Sequence, residues 1–303
     1  EYLKIWIDIL TPKQLLFSEP IIERLEEKHE ILCTSREYHE VSKLAKIRHF
    51  DLIFVGKHGG GDKKSKLKAS IERMGKLSKK IKRFEPDLVI SFGSPEAARI
   101  SFGLGIKHIM FCDSPHANAV MKLTLPLIQK LLIPYVIPKK EFSKYGIHEK
   151  NIVQYKAIDA AVTMKRKIRE DLNSPFKNNN KKNILIRVEE EEAAYTSKSS
   201  KIIPIIQKIT KDYKNENVVV LGRYTKQINN LQKIIGNKVK IVKMSFDGKF
   251  LLNKTDIFIG SGGTMTAESA LMGIPTISYN AVPNIVEEFL VKKNLVKRET
   301  NPN

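Results

Sequence analysis

Short apolar runs alternate with stretches of helical spacing along most of the chain, and this alternation constrains the fold more than any other feature. The first series of apolar runs comprises residues 3–10, 31–34, 52–55, 88–91, 108–112 and 132–137. Between the early runs, residues 15–28 and 64–84 repeat apolar side chains at helical spacing. Strands that alternate with helices form a parallel sheet covered by helices. The sequence therefore predicts an α/β fold.

The alternation lapses over residues 160–182, where charged side chains dominate, and then begins again. The second series of apolar runs comprises residues 183–188, 217–222, 238–242, 256–260 and 275–278, with helical spacing around 198–213, 226–235 and 266–272. We predict two Rossmann-like domains, at 1–157 and 183–303, joined by a linker at 158–182. Because open parallel sheets bind ligands at the carboxyl ends of their strands, we expect the two domains to face each other across a cleft.

Composition excludes several classes of protein. The two cysteines, Cys33 and Cys112, have no metal-like spacing and predict neither a disulfide framework nor a zinc site. There is no paired-histidine or Asp-x-Asp motif, so we predict a metal-independent protein. The apolar stretch at 123–137 is interrupted by Pro126 and Pro134 and is shorter than the roughly 20 residues of a membrane span. We expect a cytoplasmic protein.

The formal net charge of +20 favours polyanionic partners, either nucleic acid or an anionic membrane surface. A lysine-rich proteome would produce the same composition without any such partner. No helix-turn-helix, zinc finger or aromatic-basic ribonucleoprotein pattern occurs, so we predict no nucleic-acid partner.

Residues 63–84 combine an apolar stripe with a high density of cations. The stripe consists of Leu67, Ile71, Met74, Leu77 and Ile81, and the cations on the remaining surface are Lys64, Lys66, Lys68, Arg73, Lys76, Lys79, Lys80, Lys82 and Arg83. Such a helix either lies on the inner face of an anionic membrane or packs its stripe on the sheet and leaves its lysines in solvent. We prefer the second interpretation and leave peripheral membrane contact open.

The stretch after the run at 256–260 carries the clearest chemical signal. Ser261, Gly262, Gly263 and Thr264 form a turn between a predicted strand and a helix that begins at about Thr264. Free backbone amides and the positive end of the helix dipole make such a turn suited to a diphosphate. Glu268, one turn into the helix, can accept hydrogen bonds from ribose hydroxyls. The alternative is a strand-turn-helix whose glycines serve only tight packing.

The pattern Gly-Gly-Thr-Met-x-x-Glu at 262–268, followed by Gly-x-Pro at 273–275, resembles the nucleotide site of glycosyltransferase-B-fold (GT-B) proteins. These include MurG-type transferases and non-hydrolysing UDP-N-acetylglucosamine 2-epimerases. With the segments at 5–9, 56–60 and 91–99, the chain resembles the domain of unknown function 354 family within that superfamily. The resemblance implies that the turn binds the diphosphate and Glu268 the ribose.

Arg187 and Arg223 stand at the carboxyl ends of the first two predicted strands of the C-terminal domain. An arginine there offers a fork of donors to phosphate, although both are equally consistent with ordinary surface positions.

Candidate catalytic groups in the N-terminal domain follow predicted strands or lie in the glycine-rich loop. They are Asp8, His58, Glu96, Asp113 and His116, with Ser94 beside them. The loops at 91–98 and 111–116 look like those that carry the acids of the epimerases, but with Glu96 in place of an aspartate and Asp113 in place of a glutamate. Asp8 is also consistent with a turn cap, and the histidines with surface positions.

The resemblance implies a metal-independent glycosyltransferase that uses a nucleotide-diphosphate sugar, expected to be UDP-linked, without a separate cofactor. His116 or Asp113 would be the general base. A lipid-linked or other glycan would be the acceptor. The alternatives are a sugar-nucleotide epimerase of the UDP-N-acetylglucosamine 2-epimerase type and a non-catalytic binding protein of the same fold.

Overall fold

The structure is a computed structural model that describes residues 1–168, 174–189, 202–222, 225–243, 247–280 and 283–301. The chain divides into two compact units, Glu1–Arg166 and Lys167–Asn303. This division falls inside the predicted linker at 158–182. Phe176, within the same stretch, packs into a core cluster of the C-terminal unit.

The N-terminal unit is built on one parallel sheet. Its strands are β1 (Lys4–Asp8), β2 (Glu30–Glu37), β3 (Ile53–Lys57), β4 (Leu88–Ser91), β5 (Lys107–Phe111), β6 (Lys130–Pro134) and β7 (Ile152–Tyr155). Its helices are α1 (Pro12–Leu25), α2 (His39–Arg48), α3 (Lys63–Phe84), α4 (Pro95–Leu104), α5 (Asn118–Thr124), α6 (Lys140–Ser143) and α7 (Ala161–Lys165). The strand order is β3-β2-β1-β4-β5-β6-β7, and every pairing is parallel. The chain therefore reverses direction across the sheet between β1 and β4, where such sheets bind ligands.

The C-terminal unit repeats the arrangement on a second parallel sheet. Its strands are β8 (Asn183–Arg187), β9 (Asn217–Gly222), β10 (Lys240–Lys243), β11 (Ile257–Gly260), β12 (Thr276–Ser278) and β13 (Lys297–Arg298). Its helices are α8 (Ile202–Asp212), α9 (Thr225–Ile235), α10 (Gly248–Asn253), α11 (Thr264–Leu271) and α12 (Ile285–Lys292). The order β10-β9-β8-β11-β12-β13 puts the corresponding reversal between β8 and β11.

Apolar cores on the two faces of each sheet hold the units together. In the N-terminal unit, Trp6 of β1 packs with Leu77 and Ile81 of α3 on one face, and Leu15 of α1 lies in the cluster on the other. All four side chains are fully buried. Burial of a large apolar side chain contributes about 1.5–3 kcal/mol to stability, so these helices are fixed on the sheet by their apolar faces.

The predicted α/β fold and every predicted strand are confirmed, with shifts of a few residues at some ends. β7 and β13 were not predicted. The sequence of β7, Ile-Val-Gln-Tyr, is short and mixed, and β13 contains only Lys297 and Arg298. Neither strand has the apolar run that identifies a buried strand in a sequence.

The helix at 63–84 exists, but two assignments of its faces were wrong. Arg73, assigned to the cationic surface, is 1% exposed, whereas Leu67 and Ile71, assigned to the packed stripe, are 63% and 56% exposed. The stripe packs in the second half of α3, where Leu77 and Ile81 are fully buried. No helix in the described part of the chain has the length and apolarity to cross a membrane.

Candidate functional site

The turn between β11 and α11 presents open backbone amides at the carboxyl edge of the C-terminal sheet. Gly263 and Thr264 are exposed, and no described oxygen accepts from their amides. Gly262 has φ +97°, a conformation that side chains other than glycine rarely adopt. Its amide donates to Thr266 Oγ1 at 3.2 Å, and its carbonyl accepts from Asn284 Nδ2 at 2.9 Å. These two hydrogen bonds fix the turn from behind and leave the amides of Gly263 and Thr264 facing outward.

The described residues leave space in front of this turn. A Cβ atom added at Gly263 would meet no described atom within 4 Å, and its φ of −83° is accessible to any residue. Gly260, in contrast, packs so closely that an added Cβ would lie 2.4 Å from Thr266 Oγ1. Gly260 is therefore needed for close packing and Gly262 for its backbone conformation. Neither reason applies to Gly263 among the described residues.

Glu268 lies on α11, one turn after the open amides, and is 8% exposed. Its Oε2 is 3.9 Å from the position that a Cβ atom of Gly248 would occupy, at the start of α10. A carboxylate oxygen and the two open amides thus belong to one helix and its preceding turn. Ser261, predicted with them, is almost fully buried at the end of β11.

Of the two predicted arginines, the structure describes Arg187. Arg187, at the end of β8, directs Nη1 to the carbonyl of Leu221 at 3.4 Å, at the same edge of the sheet as the turn. Arg223 lies outside the described residues. Asn284 was not predicted, although Asn-x-x-Glu before an apolar run is a helix-capping signature, and Asn284 Oδ1 does accept from the amide of Glu287.

A second group missed by the sequence analysis is the buried pair Glu189 and Tyr279 at the ends of β8 and β12. The Tyr279 hydroxyl donates to Glu189 Oε2 and accepts from the Glu189 amide at 3.1 Å. Gln227 Nε2 donates to the Glu189 carbonyl at 2.9 Å. The pair connects two strands on either side of the glycine turn.

In the N-terminal unit, Asp8 is fully buried and its carboxylate is surrounded by donors. Arg73 Nη2 lies 2.6 Å from Oδ1, the Ser94 hydroxyl 2.6 Å from Oδ2, and the Thr34 hydroxyl 2.6 Å from Oδ1. Burial opposes ionisation of Asp8, but Arg73 and the two hydroxyls outweigh it and lower the pKa of Asp8 below its ordinary value. Asp8 is therefore an ionised anchor at the end of β1.

Glu96, at the start of α4, adjoins the same cluster and is 6% exposed. Its Oε1 accepts from the Ser70 hydroxyl at 2.8 Å, and its Oε2 is 3.6 Å from Arg73 Nη1. Ser94 caps α4 by accepting from the amide of Ala97. The structure thus brings together Asp8, Ser94 and Glu96 around Arg73.

A second cluster of charges forms around Lys13, which the sequence analysis missed. Lys13 Nζ forms ion pairs with Asp113 and with Asp159, the latter at 3.2 Å, and the Tyr155 hydroxyl donates to Asp159 Oδ1. A lysine in the first turn of α1 opposes the helix dipole. A lysine at this position of a predicted helix indicates that a carboxylate lies nearby to compensate it.

The two carboxyl groups of this cluster titrate differently. Burial and the Asp113 charge raise the pKa of Asp159 to about 7, and Lys13 limits the rise. Burial also opposes ionisation of Asp113, but Lys13 and the Ser114 hydroxyl outweigh it and lower the pKa of Asp113. The shifts in opposite directions favour an ionised Asp113 beside an Asp159 that holds its proton more strongly.

The two candidate histidines are exposed in loops. His58 stacks on Tyr38, with ring centroids 4.9 Å apart, and its Nδ1 accepts from the amide of Gly60. His116 is exposed in the loop after β5, three residues beyond Asp113. Both lie in loops that follow strands at the carboxyl edge of the sheet.

Comparison with known proteins identifies the family. Residues 3–302 match the family described as "Protein of unknown function (DUF354)". The chain belongs to this family. An uncharacterized protein of Methanocaldococcus jannaschii is 30% identical over 96% of this chain and 86% of that protein.

Similar solved structures show the fold of this DUF354 protein. The UDP-GlcNAc 2-epimerase from Neisseria meningitidis, bound to UDP-GlcNAc, has a TM-score of 0.77 at 17% identity, over 97% of this chain and 86% of that one. The glycotransferase of kitacinnamycin has a TM-score of 0.62 at 12% identity, over 99% and 86%. At these identities the likeness concerns the fold alone, which is of the GT-B type with two parallel-sheet α/β domains.

Proposed function

We propose that this protein is a metal-independent glycosyltransferase whose C-terminal unit binds a nucleotide-diphosphate sugar, with UDP as the expected nucleotide. The observation that carries the proposal is the turn at 261–264, where exposed amides of Gly263 and Thr264 precede an α-helix and have open space before them. Preorganised amides stabilise the charge that develops on a departing diphosphate. A neighbour of the same fold was solved with UDP-GlcNAc bound, which supports a nucleotide sugar as the ligand.

Glu268 is the proposed ribose ligand. It lies four residues after Thr264 on α11, so its carboxylate is on the same side of the helix as the first turn. A charged acceptor makes hydrogen bonds to hydroxyls worth roughly 1.5–3 kcal/mol. In this proposal Arg187, at the end of β8, contributes donors to the base or phosphate, and we assign the same role to Arg223, which follows β9 in the sequence.

The N-terminal unit would hold the acceptor, with Asp113 as the general base. The Asp113 side chain is 15% exposed, whereas that of Asp159 is 5% exposed, so Asp113 is the member of the pair that an acceptor reaches. The acceptor hydroxyl would lose its proton to Asp113 while its oxygen attacks the anomeric carbon and the bond to the diphosphate breaks. Asp159, with its pKa of about 7, would take up that proton in turn.

Asp8 and Glu96 have supporting roles in this proposal, because both carboxylates are engaged by Arg73. They hold the loops after β1 and β4 at the edge where the acceptor binds. His58 and His116, which are exposed at that edge, would contact the acceptor.

A lipid-linked glycan is the acceptor that the surface of α3 favours. Leu67 and Ile71 are exposed near the carboxyl edge and lie among the exposed Lys64 and Lys68. Apolar side chains flanked by lysines suit peripheral contact with the inner face of an anionic membrane.

The experiment is incubation of the protein with radiolabelled UDP sugars, alone and with a lipid extract that supplies acceptors. The proposal predicts release of UDP and labelled lipid only when the extract is present. Conversion of the sugar nucleotide without any acceptor would instead establish an epimerase. Binding without turnover under both conditions would establish a binding protein.

A further inference from the structure

The last three turns of α3 form one side of a surface recess that carries four cations. Its volume is about 420 Å³, and the residues that line it are Leu32, Lys76, Lys79, Lys80, Arg83 and Phe84. Lys4, the first residue of β1, places Nζ 5.7 Å from the centroid of the Phe84 ring. The recess therefore lies at the amino end of the sheet, away from the carboxyl edge that carries Asp113 and the other candidate residues.

The four cations are crowded because of their helical spacing. Lys76, Lys79, Lys80 and Arg83 are separated by three or four residues, so each has two like charges as neighbours on one side of the helix. Within the described ranges, none of the four forms an ion pair with a carboxylate. The helix dipole favours cations only in the last turn, which includes Arg83 but none of the three lysines. Within the described residues, no carboxylate therefore offsets the repulsion among these four cations.

We propose that this recess binds a phosphate-bearing anion. A concave surface of one charge focuses the field on a ligand, and several ammonium groups with one guanidinium fork match the oxygens of a phosphate or a polyphosphate. The volume suits a small ligand or a headgroup, and Leu32 and the Phe84 ring offer an apolar wall to its uncharged part. A soluble polyphosphate and a phospholipid headgroup share this chemistry. The site is independent of the proposed transferase activity.

Two triple variants of equal net charge test the site. In the first, Lys76→Gln, Lys80→Gln and Arg83→Gln remove cations of the recess. In the second, Lys43→Gln, Lys46→Gln and Lys82→Gln remove exposed cations that do not line the recess. Calorimetry with tripolyphosphate tests the soluble source, and sedimentation with phosphatidylglycerol vesicles tests the headgroup, with phosphatidylcholine vesicles as the uncharged reference.

We expect the recess variant to lose more than about tenfold in affinity for at least one probe, and the second variant to stay within about twofold of the wild type. The Tm of the recess variant should be equal to or higher than that of the wild type, because like charges have been removed. Loss for tripolyphosphate assigns a soluble ligand, and loss for vesicles alone assigns a headgroup. Equal weakening in both variants would mean attraction by net charge only and would overturn the proposal. Absence of binding by the wild type to both probes would overturn it as well.

Discussion

Arg73 and Asp8 form a fully buried ion pair, with 2.6 Å between Nη2 and Oδ1, although 65 residues separate them in the chain. The pair ties the middle of α3 to the end of β1. Removal of one partner leaves the other charge buried without compensation, which costs about 3–5 kcal/mol. Since Ser94 donates to Asp8 and Glu96 pairs with Arg73, the pair also anchors the start of α4.

We predict that Asp8→Asn lowers the free energy of unfolding by about 3–5 kcal/mol. Urea denaturation measures the change. Glu72→Gln is the matched control, since it disrupts an exposed pair with Lys68 on the same helix and should change stability very little. An Asp8→Asn variant that is as stable as the wild type but inactive would show that Asp8 acts in the reaction itself.

The second prediction concerns acid stability. His108 is fully buried between the hydroxyls of Ser91 and Ser101, and burial lowers its pKa to about 4. The unfolded chain, with a histidine pKa near 6.5, binds a proton at higher pH than the folded protein does. The contribution of neutral His108 to stability is therefore fully present above about pH 6.5 and is lost as the pH falls towards 4. In urea titrations the free energy of unfolding should decrease between pH 7 and pH 4.5. We expect His108→Asn to abolish roughly 2–3 kcal/mol of that decrease. An equally steep decrease in the variant would contradict this assignment.

Gly263 provides a test of close approach by the diphosphate. Among the described residues an added methyl group meets no atom there, so Gly263→Ala should leave Tm unchanged but weaken UDP binding by at least about tenfold, or roughly 1.4 kcal/mol. Gly262→Ala should instead destabilise the protein by about 1–3 kcal/mol, because φ is +97°. Calorimetry and thermal denaturation separate the two effects. Full UDP affinity in Gly263→Ala would place the diphosphate elsewhere.

Asp113 and Asp159 make the pH profile of transfer informative. Asp113→Asn should reduce the rate of transfer by about 10²–10⁴-fold, the usual contribution of a general base. Asp159 must be ionised to take up the proton that Asp113 receives. We therefore expect kcat/KM to rise with pH through about 7, the pKa of Asp159, and Asp159→Asn to remove that inflection. His116→Gln should have a much smaller effect than Asp113→Asn. The reverse ranking would transfer the role of base to His116.

Local sequence patterns predicted the strands, the glycine turn and the carboxyl-edge position of the candidate residues. They did so because the runs at 88–91 and 217–222, for example, are bounded by polar residues and have the apolar content of buried strands. A glycine turn that precedes a helix is likewise a local feature, and Gly262 and Gly263 occupy it.

Contacts between distant residues could not be predicted in the same way. Lys13 and Asp113 are 100 residues apart, and only the order of strands in the sheet brings α1 and the end of β5 together. Arg73 was assigned to the surface because arginine is almost never buried without a partner, and the partner lies in β1. Helical periodicity assigned Leu67 to the packed stripe, but periodicity does not encode whether a neighbouring element covers that part of the helix.

In the proposed function, a nucleotide-diphosphate sugar binds at the turn before α11 with Glu268 on its ribose. Calorimetric titration of UDP into the wild type and Glu268→Gln tests it most directly. We expect the wild type to bind and the variant, with an unchanged Tm, to bind at least about tenfold more weakly, since a hydrogen bond to a charged group contributes roughly 1.5–3 kcal/mol. Equal affinity in the two proteins, or failure of the wild type to bind UDP and every other nucleoside diphosphate, would contradict the account.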